Sequence, residues 1–292
     1  MQYVVFDLEW NNVYGRKING FINEIIEIGA VKLDENLNEL STFSSFVKPS
    51  IGKRLRGSVK ELTHITNDDV LGGEPFTHVF SAFRKWIGAE PTVVLTWGDG
   101  DIRVLIENYK YLNGIAFIPF LTDYVDLQSF VQRWLDTPKG QQVGLGKAAE
   151  LLGIDDKSYS HHRALDDSRL SAECFKKVFD WDELTDYIRV CSSDFYAKLA
   201  FKPHPISNLK NPLVDKKQLT YVCPDCRVNA HRQTEWKYSN RFFRAVFRCP
   251  CCAKMSRVSV RFMKMYDRVD VKKTVAPYIP PEQEKNKNSE TQ

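Results

Sequence analysis

The sequence predicts an α/β protein: a mixed sheet flanked by helices, followed by a small β domain near the C-terminus. Three hairpin-like strands open the chain, and alternating strands and helices follow, which is the order of a sheet covered by helices. Two changes in composition mark the second domain. Residues 1–200 carry 22 basic and 29 acidic side chains, residues 201–292 carry 19 and 8, and five of the seven cysteines lie between Cys223 and Cys252.

Five strands are expected in the first domain, each rich in β-branched and aromatic residues. Their expected bounds are Tyr3–Trp10, Glu24–Leu33, Thr42–Lys48, Thr92–Trp97 and a short Tyr124–Leu127. The near-continuous apolar run of the fourth strand, TVVLTW, predicts burial on both faces. Apolar residues at helical spacing predict four helices, at Phe76–Ile87, Asp101–Leu112, Leu145–Leu152 and Arg163–Val178.

The predicted domain boundaries follow the composition. Residues 1–182 are expected to form the first domain, 183–217 a helical or irregular linker, 218–276 the second domain and 277–292 a disordered tail. No run of about 18 apolar residues appears, so no membrane span is expected. The first strand begins at about Tyr3, which leaves no room for a cleaved leader, and we expect a cytoplasmic protein with reduced thiols.

Two carboxylates end the apolar run of the first strand. Asp7 and Glu9 follow YVVF at positions i and i+2, so both side chains leave the same face of the strand. One interpretation is a strand end whose polar face meets solvent. The other is a cation held between the two acids, because neighbouring carboxylates repel each other.

Three further polar residues stand at the starts of later helices. In TWGDGDIRVL, Asp101 is placed where an acid also suits the helix dipole. In SHHRALDDSRL, His162 and Asp167 would be about 140° apart on a helix, so His162 is expected just before the helix and Asp167 inside it. Ordinary helix-terminal or solvated residues are the alternative. The local competitors are Asp99, His161 and Asp166.

The order of these motifs resembles the DEDDh superfamily of 3′–5′ exonucleases. D-x-E on the first strand, an Asp after a Trp-Gly strand end, and H-x-A-x-x-D at a late helix carry the resemblance over Tyr3–Phe179. The segments FDLEW, EIIEIGAV and ELTHIT look closest to the KapD and histone-mRNA/siRNA-trimming exoribonuclease branch. The segment WGDGD departs from the many relatives that place Phe just before the third acid.

The resemblance implies an RNase H-like fold, with metal binding by Asp7, Glu9, Asp101 and Asp167 and with His162 as the general base. Four carboxylates carry a charge of about −4, which two Mg²⁺ or Mn²⁺ ions neutralise, since these ions prefer oxygen ligands. Two such ions stabilise the attacking and leaving oxygens of a phosphoryl displacement, and a histidine accepts a proton near neutral pH. The implied products are 5′-mononucleotides released from a 3′ end, with Glu9 near the terminal 3′-hydroxyl.

Residues around the acids are candidates for contact with the substrate. By the resemblance, apolar residues here wedge against or stack on the terminal bases, and stacking tolerates any sequence. The candidates are Leu8, Trp10, Leu62 and His64. Core packing is the alternative for Trp10 and Leu62, and the role of His64 stays open.

The C-terminal cysteines form two C-x-x-C pairs with 22 residues between them. Four thiolates at this spacing predict a tetrahedral structural Zn²⁺ site, and the intervening WKYSNRFFRAVFRC has the pattern of a β-hairpin, so the domain resembles a zinc ribbon. A redox dithiol, which needs only one pair, is the alternative. The expected ligands are Cys223, Cys226, Cys249 and Cys252, with Cys251 spare and His231 a weaker substitute.

Arginines interleave with aromatic residues in this domain and predict a nucleic-acid-binding surface. Arginine pairs with phosphates, and aromatic rings stack on bases. Arg241, Phe243 and Arg244 are the candidate contacts. A solvated hairpin over a small aromatic core is the alternative, but the net charge of +11 in residues 201–292 favours a nucleic-acid contact.

The sequence therefore predicts a metal-dependent 3′–5′ exonuclease acting on single-stranded nucleic acid with a free 3′ end, with RNA favoured over DNA. A catalytically silent nuclease fold that binds protein or nucleic acid is the runner-up, although it has no need of all five site residues. An RNase H-like endonuclease is a third interpretation, which the histidine motif disfavours. No membrane partner is expected, and the sequence predicts no particular protein partner.

Overall fold

The computed structural model describes residues 1–135, 137, 141–155, 159 and 162–279. The chain divides into two compact units, Met1–Ala200 and the residues from Phe201 onward. The predicted tail lies outside the described residues beyond Ile279, and the last strand of the second unit reaches Pro277. Within the described part of the chain, no helix is both long and apolar enough to cross a membrane.

A seven-stranded mixed sheet forms the centre of the first unit, in the order β4-β3-β2-β1-β5-β6-β7. Its strands are β1 Gln2–Gly15, β2 Gly20–Leu33, β3 Glu39–Lys48, β4 Glu74–Pro75, β5 Thr92–Thr96, β6 Asp123–Asp126 and β7 Arg189–Val190. The first three strands pair antiparallel, and β5 and β6 run parallel to β1. The predicted mixed sheet is confirmed, and β1 lies at its centre.

Helices cover both faces of this sheet. Their bounds are α1 Gly57–Thr63, α2 Asn67–Leu71, α3 Phe76–Ile87, α4 Gly100–Asn113, α5 Leu127–Gln132, α6 Leu145–Leu151, α7 Ala164–Val178, α8 Trp181–Thr185 and α9 Ser193–Ala200. Val4 and Phe83 belong to one hydrophobic core, whereas Val5 and Phe175 belong to a second. Because successive residues of β1 point to opposite faces, the two cores lie on opposite sides of the sheet.

The segment expected as a linker, 183–217, is divided between the two units. Phe195 and Tyr196 of α9 pack into the core of the first unit. Ile206 and Val214 pack into the core of the second unit. Apolar residues on both sides of Ala200 therefore attach this segment to the two cores. Its prolines had indicated only an irregular linker.

A six-stranded antiparallel sheet forms the second unit, with the path β10-β11-β12-β13, β8 paired to β12 and β9 paired to β11. The strands are β8 His204–Pro205, β9 His231–Arg232, β10 Lys237–Ser239, β11 Phe242–Arg248, β12 Met255–Lys264 and β13 Val269–Pro277. The predicted hairpin is β10–β11. Its turn residues Asn240 and Arg241 have φ of 47° and 64°, the left-handed conformation that a two-residue type I′ turn requires.

Candidate active site

The first two predicted acids lie on the central strand β1 and face an open cleft. Asp7 and Glu9 are two positions apart on one face of the strand, and both line a cleft of about 370 Å³. On the neighbouring strand β2, Gly29 lies opposite Asp7 and Glu27 lies opposite Glu9. The register then shifts between Glu9 and Trp10, and such a bulge re-aims the side chains that follow it.

Helix α4 brings the third acid to the same place. Asp101 is 4% exposed, and its Oδ1 accepts a hydrogen bond at 3.2 Å from the backbone N–H of Leu8, the residue between the two acids of β1. The competing Asp99 instead forms an ion pair with Arg103 at 2.7 Å. The structure therefore brings Asp101, rather than Asp99, next to β1.

The last two predicted residues come from the start of α7. His162 precedes the helix with φ of 63°, and its backbone N–H donates to the carboxylate of Asp167 at 3.0 Å. Side-chain ligand atoms of Glu9, His162 and Asp167 all lie within 4.8 Å of one another. Of the local competitors, Asp166 forms an ion pair with an arginine of its own helix, and His161 lies outside the described residues.

A close approach of α7 to β2 sets the position of this turn. A Cβ added to Gly29 would lie 2.1 Å from the carbonyl carbon of Ala164, so only glycine fits there. The hydroxyl of Ser168 donates to the carbonyl oxygen of Gly29 at 2.9 Å. Ala164 itself is fully buried. Two small residues and one hydrogen bond thus fix the start of α7 against the strand that lies beside β1.

Sequence reasoning missed a buried glutamate and its arginine beside the same turn. Glu27 is 1% exposed and accepts hydrogen bonds from Nη2 and Nε of Arg163, at 2.8 and 3.2 Å. It also accepts one from the backbone N–H of Ala164 at 3.2 Å. A bidentate pair of this kind fixes orientation as well as adding binding energy, so it holds the residue next to His162. The signal was an acid inside the apolar run EIIEIGAV, but its partner is 136 positions away.

Burial and mutual repulsion raise the pKa values of the clustered acids. Burial, followed by Asp101 and Glu9, holds the pKa of Asp7 well above its ordinary range. Burial, followed by Asp167 and Glu27, raises the pKa of Glu9 to about 8, and burial raises the pKa of Asp101 to about 7. Ionising all of these acids together has an electrostatic cost that bound cations remove. A set of carboxylate oxygens fits hard divalent ions such as Mg²⁺ and Mn²⁺.

The predicted base-contacting residues of the first unit differ in position. Leu8, Trp10 and Leu62 line the cleft, but Leu8 is 2% exposed and belongs to the hydrophobic core, whereas Leu62 is 52% exposed. His64 is exposed at the C-terminal end of α1 in a left-handed conformation and is not among the described residues that line the cleft. Arg56, which sequence reasoning did not single out, does line it.

The four predicted cysteines converge in the second unit. Their Sγ atoms lie within 4.8 Å of one another, and the group consists of Cys223, Cys226, Cys249 and Cys252. The exposed Cys251 and His231 are not members of this group. The N–H groups of Cys252 and Cys251 lower the pKa of Cys249 to about 7, whereas hydrogen bonds with the neighbouring thiols raise the pKa of Cys226. Cys249 is thus the cysteine most readily ionised to the thiolate that metals bind.

Both cysteine pairs lie in turns with the same backbone geometry. In each, the N–H of the first cysteine donates to the carbonyl oxygen five residues later, at 2.9 Å from Cys223 and from Cys249. The residue four positions after that cysteine donates back to its carbonyl oxygen and has a positive φ, 55° at Arg227 and 59° at Ala253. Two equivalent turns that present four sulfurs to one point fit a zinc-ribbon-like element.

The prediction that Phe243 contacts nucleic acid is wrong. Phe243 is 3% exposed and packs with Phe262 in the core of the second unit, so it offers no face to a base. Side chains alternate along a strand, and the preceding Phe242 lies on the opposite face, where Arg244 lies 5.4 Å from the centre of its ring. Arg241 is exposed in the β10–β11 turn.

A mixed sheet of this order, with an acidic cleft at its central strand, defines the first unit as an α/β nuclease domain. Residues 4–175 match the RNase_T family model, described as Exonuclease, and the chain belongs to this family. The probable 3′–5′ exonuclease KapD of Bacillus subtilis (strain 168) is similar, with 32% identity over 177 residues that cover 60% of this chain and 83% of KapD.

Two further comparisons bear on the type of nuclease. The solved nuclease domain of 3′hExo, a DEDDh family member bound to rAMP, is 25% identical with a TM-score of 0.53, and the match covers 65% of this chain and 96% of that domain. A PolC-type DNA polymerase III of Clostridium perfringens (strain 13 / Type A) is 27% identical over 212 residues, 71% of this chain but only 13% of the polymerase. The predicted enzyme class, a DEDDh-type exonuclease, is confirmed.

We expect Gly29→Ala to lower nuclease activity by about 100-fold or more and to lower the melting temperature. The added Cβ would meet backbone atoms of Ala164 at 2.1 Å, so α7 must move away, and displacing catalytic groups by about 1 Å costs on the order of 10²-fold in rate. Steady-state cleavage of a labelled oligonucleotide and thermal unfolding measure both effects. Gly144→Ala is the matched control, because a Cβ there has no neighbour within 4 Å. Unchanged kinetics for Gly29→Ala would contradict the described docking of α7.

Proposed function

We propose that this protein is a metal-dependent 3′–5′ exonuclease that removes 5′-mononucleotides from single-stranded nucleic acid, with RNA preferred over DNA. The supporting observation is that Asp7, Glu9, His162 and Asp167 line one open cleft, and that the buried Asp101 accepts a hydrogen bond from the backbone N–H of Leu8, between Asp7 and Glu9. The name of KapD and the ribonucleotide bound to the 3′hExo domain support the direction of cleavage and the choice of RNA. The PolC-type relatives are named as DNA polymerases, so DNA is the substrate to compare.

Two Mg²⁺ or Mn²⁺ ions are the cofactors we propose, held by the carboxylates of Asp7, Glu9, Asp101 and Asp167. The raised pKa values of the first three acids support this assignment, because protonation and cation binding are the two ways to relieve their repulsion. When bound, such ions stabilise the negative charge that develops on the attacking and leaving oxygens of a phosphodiester.

The side chains of the cleft divide the remaining tasks. His162 is the general base that accepts a proton from the attacking water, since its ring lies beside Glu9 and Asp167 and lines the cleft. Glu9 contacts the terminal 3′-hydroxyl, which gives the enzyme its preference for strand ends. The exposed side chain of Leu62, together with Trp10, contacts the terminal base without reading its identity.

A structural Zn²⁺ ion is the second cofactor we propose, bound by the four converging cysteines of the second unit. Four thiolates in two equivalent turns match the ligand set of structural zinc sites. A cytoplasmic location fits these thiols, which must stay reduced to bind the metal.

The test is a time course with 5′-labelled single-stranded RNA and DNA of one sequence. With Mg²⁺ or Mn²⁺, we expect a ladder that shortens from the 3′ end, faster on RNA, and 5′-mononucleotide products. A substrate with a blocked 3′ end or a circular strand is the matched control, and it should remain intact. Cleavage of the circle would indicate an endonuclease. The absence of any ladder, while the oligonucleotide still shifts on a gel, would indicate a binding protein instead.

We expect Mg²⁺ to raise the melting temperature by several degrees more at about pH 8 than at about pH 6. Burial and like charges raise the pKa of Glu9 from 4.5 to about 8, so the metal-free folded state binds protons that the unfolded state has released. Metal-free stability therefore falls as pH rises from about 4.5 through about 8. At the lower pH, Mg²⁺ must also displace these protons. Thermal unfolding with and without Mg²⁺ measures both trends, and a larger gain at pH 6 would contradict them.

A further inference from the structure

One face of the sheet in the second unit concentrates positive charge. Directly opposite residues of antiparallel strands share a face, and Lys237 lies opposite Arg244 while Arg261 lies opposite Lys272. Val246, two positions after Arg244, lies opposite Arg257. The cationic face, as we call it, carries Lys237, Arg244, Arg248, Arg257, Arg261 and Lys272. The other face of the same strands packs into the core.

No acidic residue in the described part of the chain forms an ion pair with the cationic face. Asp270 lies on the same side of the sheet, two positions before Lys272 and opposite Met263, and Glu235 precedes Lys237 by two positions. Both acids are paired with arginines that are not among the six cations. Glu235 binds Arg232 at 2.8 Å, and Asp270 binds Arg268 at 2.8 Å. The six cations therefore keep their charge available for a partner, which is the electrostatic signature of a polyanion-binding surface.

Aromatic rings hold three of the guanidinium groups in place. Arg244 and Arg261 both lie over the ring of Phe242, at 5.4 and 5.3 Å from its centre, and Arg257 lies over Tyr278 at 5.2 Å. Such cation–π contacts are favourable at exposed sites. They restrict the long side chains. Arg244 also donates from Nη1 to the carbonyl oxygen and the hydroxyl of Ser239, and its other guanidinium N–H groups remain for oxygen acceptors. The face is thus pre-organised, which lowers the entropy lost on binding.

The three arginines are spread over two neighbouring strands. Arg244 on β11 lies opposite Ser259, which is midway between Arg257 and Arg261 on β12. Diagonal neighbours across such a pair are about 7–8 Å apart, and four residues of strand span about 13 Å. Cations spread over about 13 Å of strand can contact several phosphates of a linear chain, whereas a single small anion cannot reach all of them.

We propose that the cationic face binds the phosphate backbone of a single-stranded nucleic acid and retains the substrate between successive cleavages. We choose a nucleic acid among the linear polyanions because of the proposed function. Binding of the strand by the cationic face does not require that the protein cleaves it. Because phosphate contacts carry no sequence information, affinity is independent of base sequence and falls steeply with salt.

The test uses full-length, zinc-loaded protein carrying Asp7→Asn, without added Mg²⁺, and fluorescence anisotropy of labelled oligo-U and oligo-T. Adding Arg244→Gln, Arg257→Gln and Arg261→Gln should raise Kd at least about 10-fold at low salt. The slope of log K against log salt should fall by about 2, because three phosphate contacts to a single strand are lost. The matched control, Lys210→Gln with Lys216→Gln and Lys217→Gln, removes the same charge from exposed lysines of the same unit and should change Kd less than about twofold.

Each other outcome overturns the proposal. Equal losses in the two triple variants would mean that net charge alone attracts the strand. Unchanged affinity in the first triple variant would show that the cationic face does not bind the strand. Binding of the protein to anionic lipid vesicles, without binding to the oligonucleotides, would show that the cationic face contacts membranes instead. If the triple variant loses zinc, Phe242→Leu decides, because it loosens Arg244 and Arg261 without a change in charge and should weaken binding about threefold.

The two proposals can fail separately. Without Asp7→Asn and with Mg²⁺, the face variant should still cleave but should release its substrate more often, which a competitor strand added after the start of the reaction detects. A wild-type protein that binds through the face but never cleaves would refute the exonuclease proposal alone. A face variant that cleaves and binds like the wild type would refute the face alone.

Discussion

Asp7→Asn is expected to lower kcat/KM by at least about 1,000-fold while raising the melting temperature of the metal-free protein. The amide has the size of the carboxylate but is a poor ligand for Mg²⁺, and a 1,000-fold loss corresponds to about 4 kcal/mol of transition-state stabilisation. The pKa of Asp7 is raised by burial and then by Asp101 and Glu9. Removing its charge therefore relieves repulsion in the folded state, and a loss of activity combined with a gain in stability is the expected signature.

The gain in stability should depend on pH in a defined direction. The pKa of Asp7 is higher in the folded protein than in the unfolded chain, so over an intermediate pH range only the folded protein keeps the proton. Binding of this proton stabilises the folded state, and the stabilisation is lost as pH rises. The advantage of Asp7→Asn in metal-free protein should thus be small near pH 5 and larger near pH 8, as thermal unfolding measures.

Asp99→Asn provides the matched control for this variant. It is the same chemical change on a nearby acid, but the carboxylate of Asp99 binds Arg103 at 2.7 Å. We expect its kcat/KM to stay within about threefold of the wild type, since exposed ion pairs contribute about 1 kcal/mol or less. If Asp99→Asn were as inactive as Asp7→Asn, Asp99 would have to replace or join Asp101 as the third acid of the site.

The candidate site could be predicted from the sequence because its residues stand in short motifs, within which their spacing fixes their relative positions. Asp7 and Glu9 share a face through the two-residue period of a strand, and His162 must precede α7 because of its spacing from Asp167. The structure decides which acid of the WGDGD segment belongs to the site, which the spacing of the motif cannot decide. Only the path of α4 shows that Asp101, rather than its neighbour two positions earlier, reaches the backbone of β1.

The features that sequence reasoning missed depend on contacts between distant segments or on strand parity. Glu27 and Arg163 are 136 positions apart, and no local period connects them. Phe242 and Phe243 are adjacent in the same strand, so assigning the wrong one to solvent reverses every side chain of β11. The register of β11 against β12 settles the parity, because Phe243 lies opposite the fully buried Val260.

The cysteine cluster yields the second large prediction: Cys223→Ser should abolish zinc binding and unfold the C-terminal unit. We expect the unit to depend on the proposed zinc ion, because its cysteines converge from two turns that no disulfide joins. Structural zinc contributes on the order of 10 kcal/mol to folding of such small domains, more than the whole stability of many domains. We expect zinc content to fall from about one per chain to near zero, with rapid hydrogen exchange through β11, β12 and β13.

Cys251→Ser is the control that distinguishes loss of a zinc ligand from a general effect of replacing a cysteine in this unit. It removes one sulfur from the turn that begins at Cys249, but Cys251 is exposed and lies outside the group of four. Zinc content and exchange protection should therefore match those of the wild type. Retention of zinc in Cys223→Ser would show that three thiolates suffice or that His231 replaces the fourth. Loss of zinc in Cys251→Ser would move the ligand set by one residue. Either outcome would contradict the assignment of equivalent roles to the two turns. That assignment requires the first and fourth residues of each turn to supply the zinc-binding sulfurs.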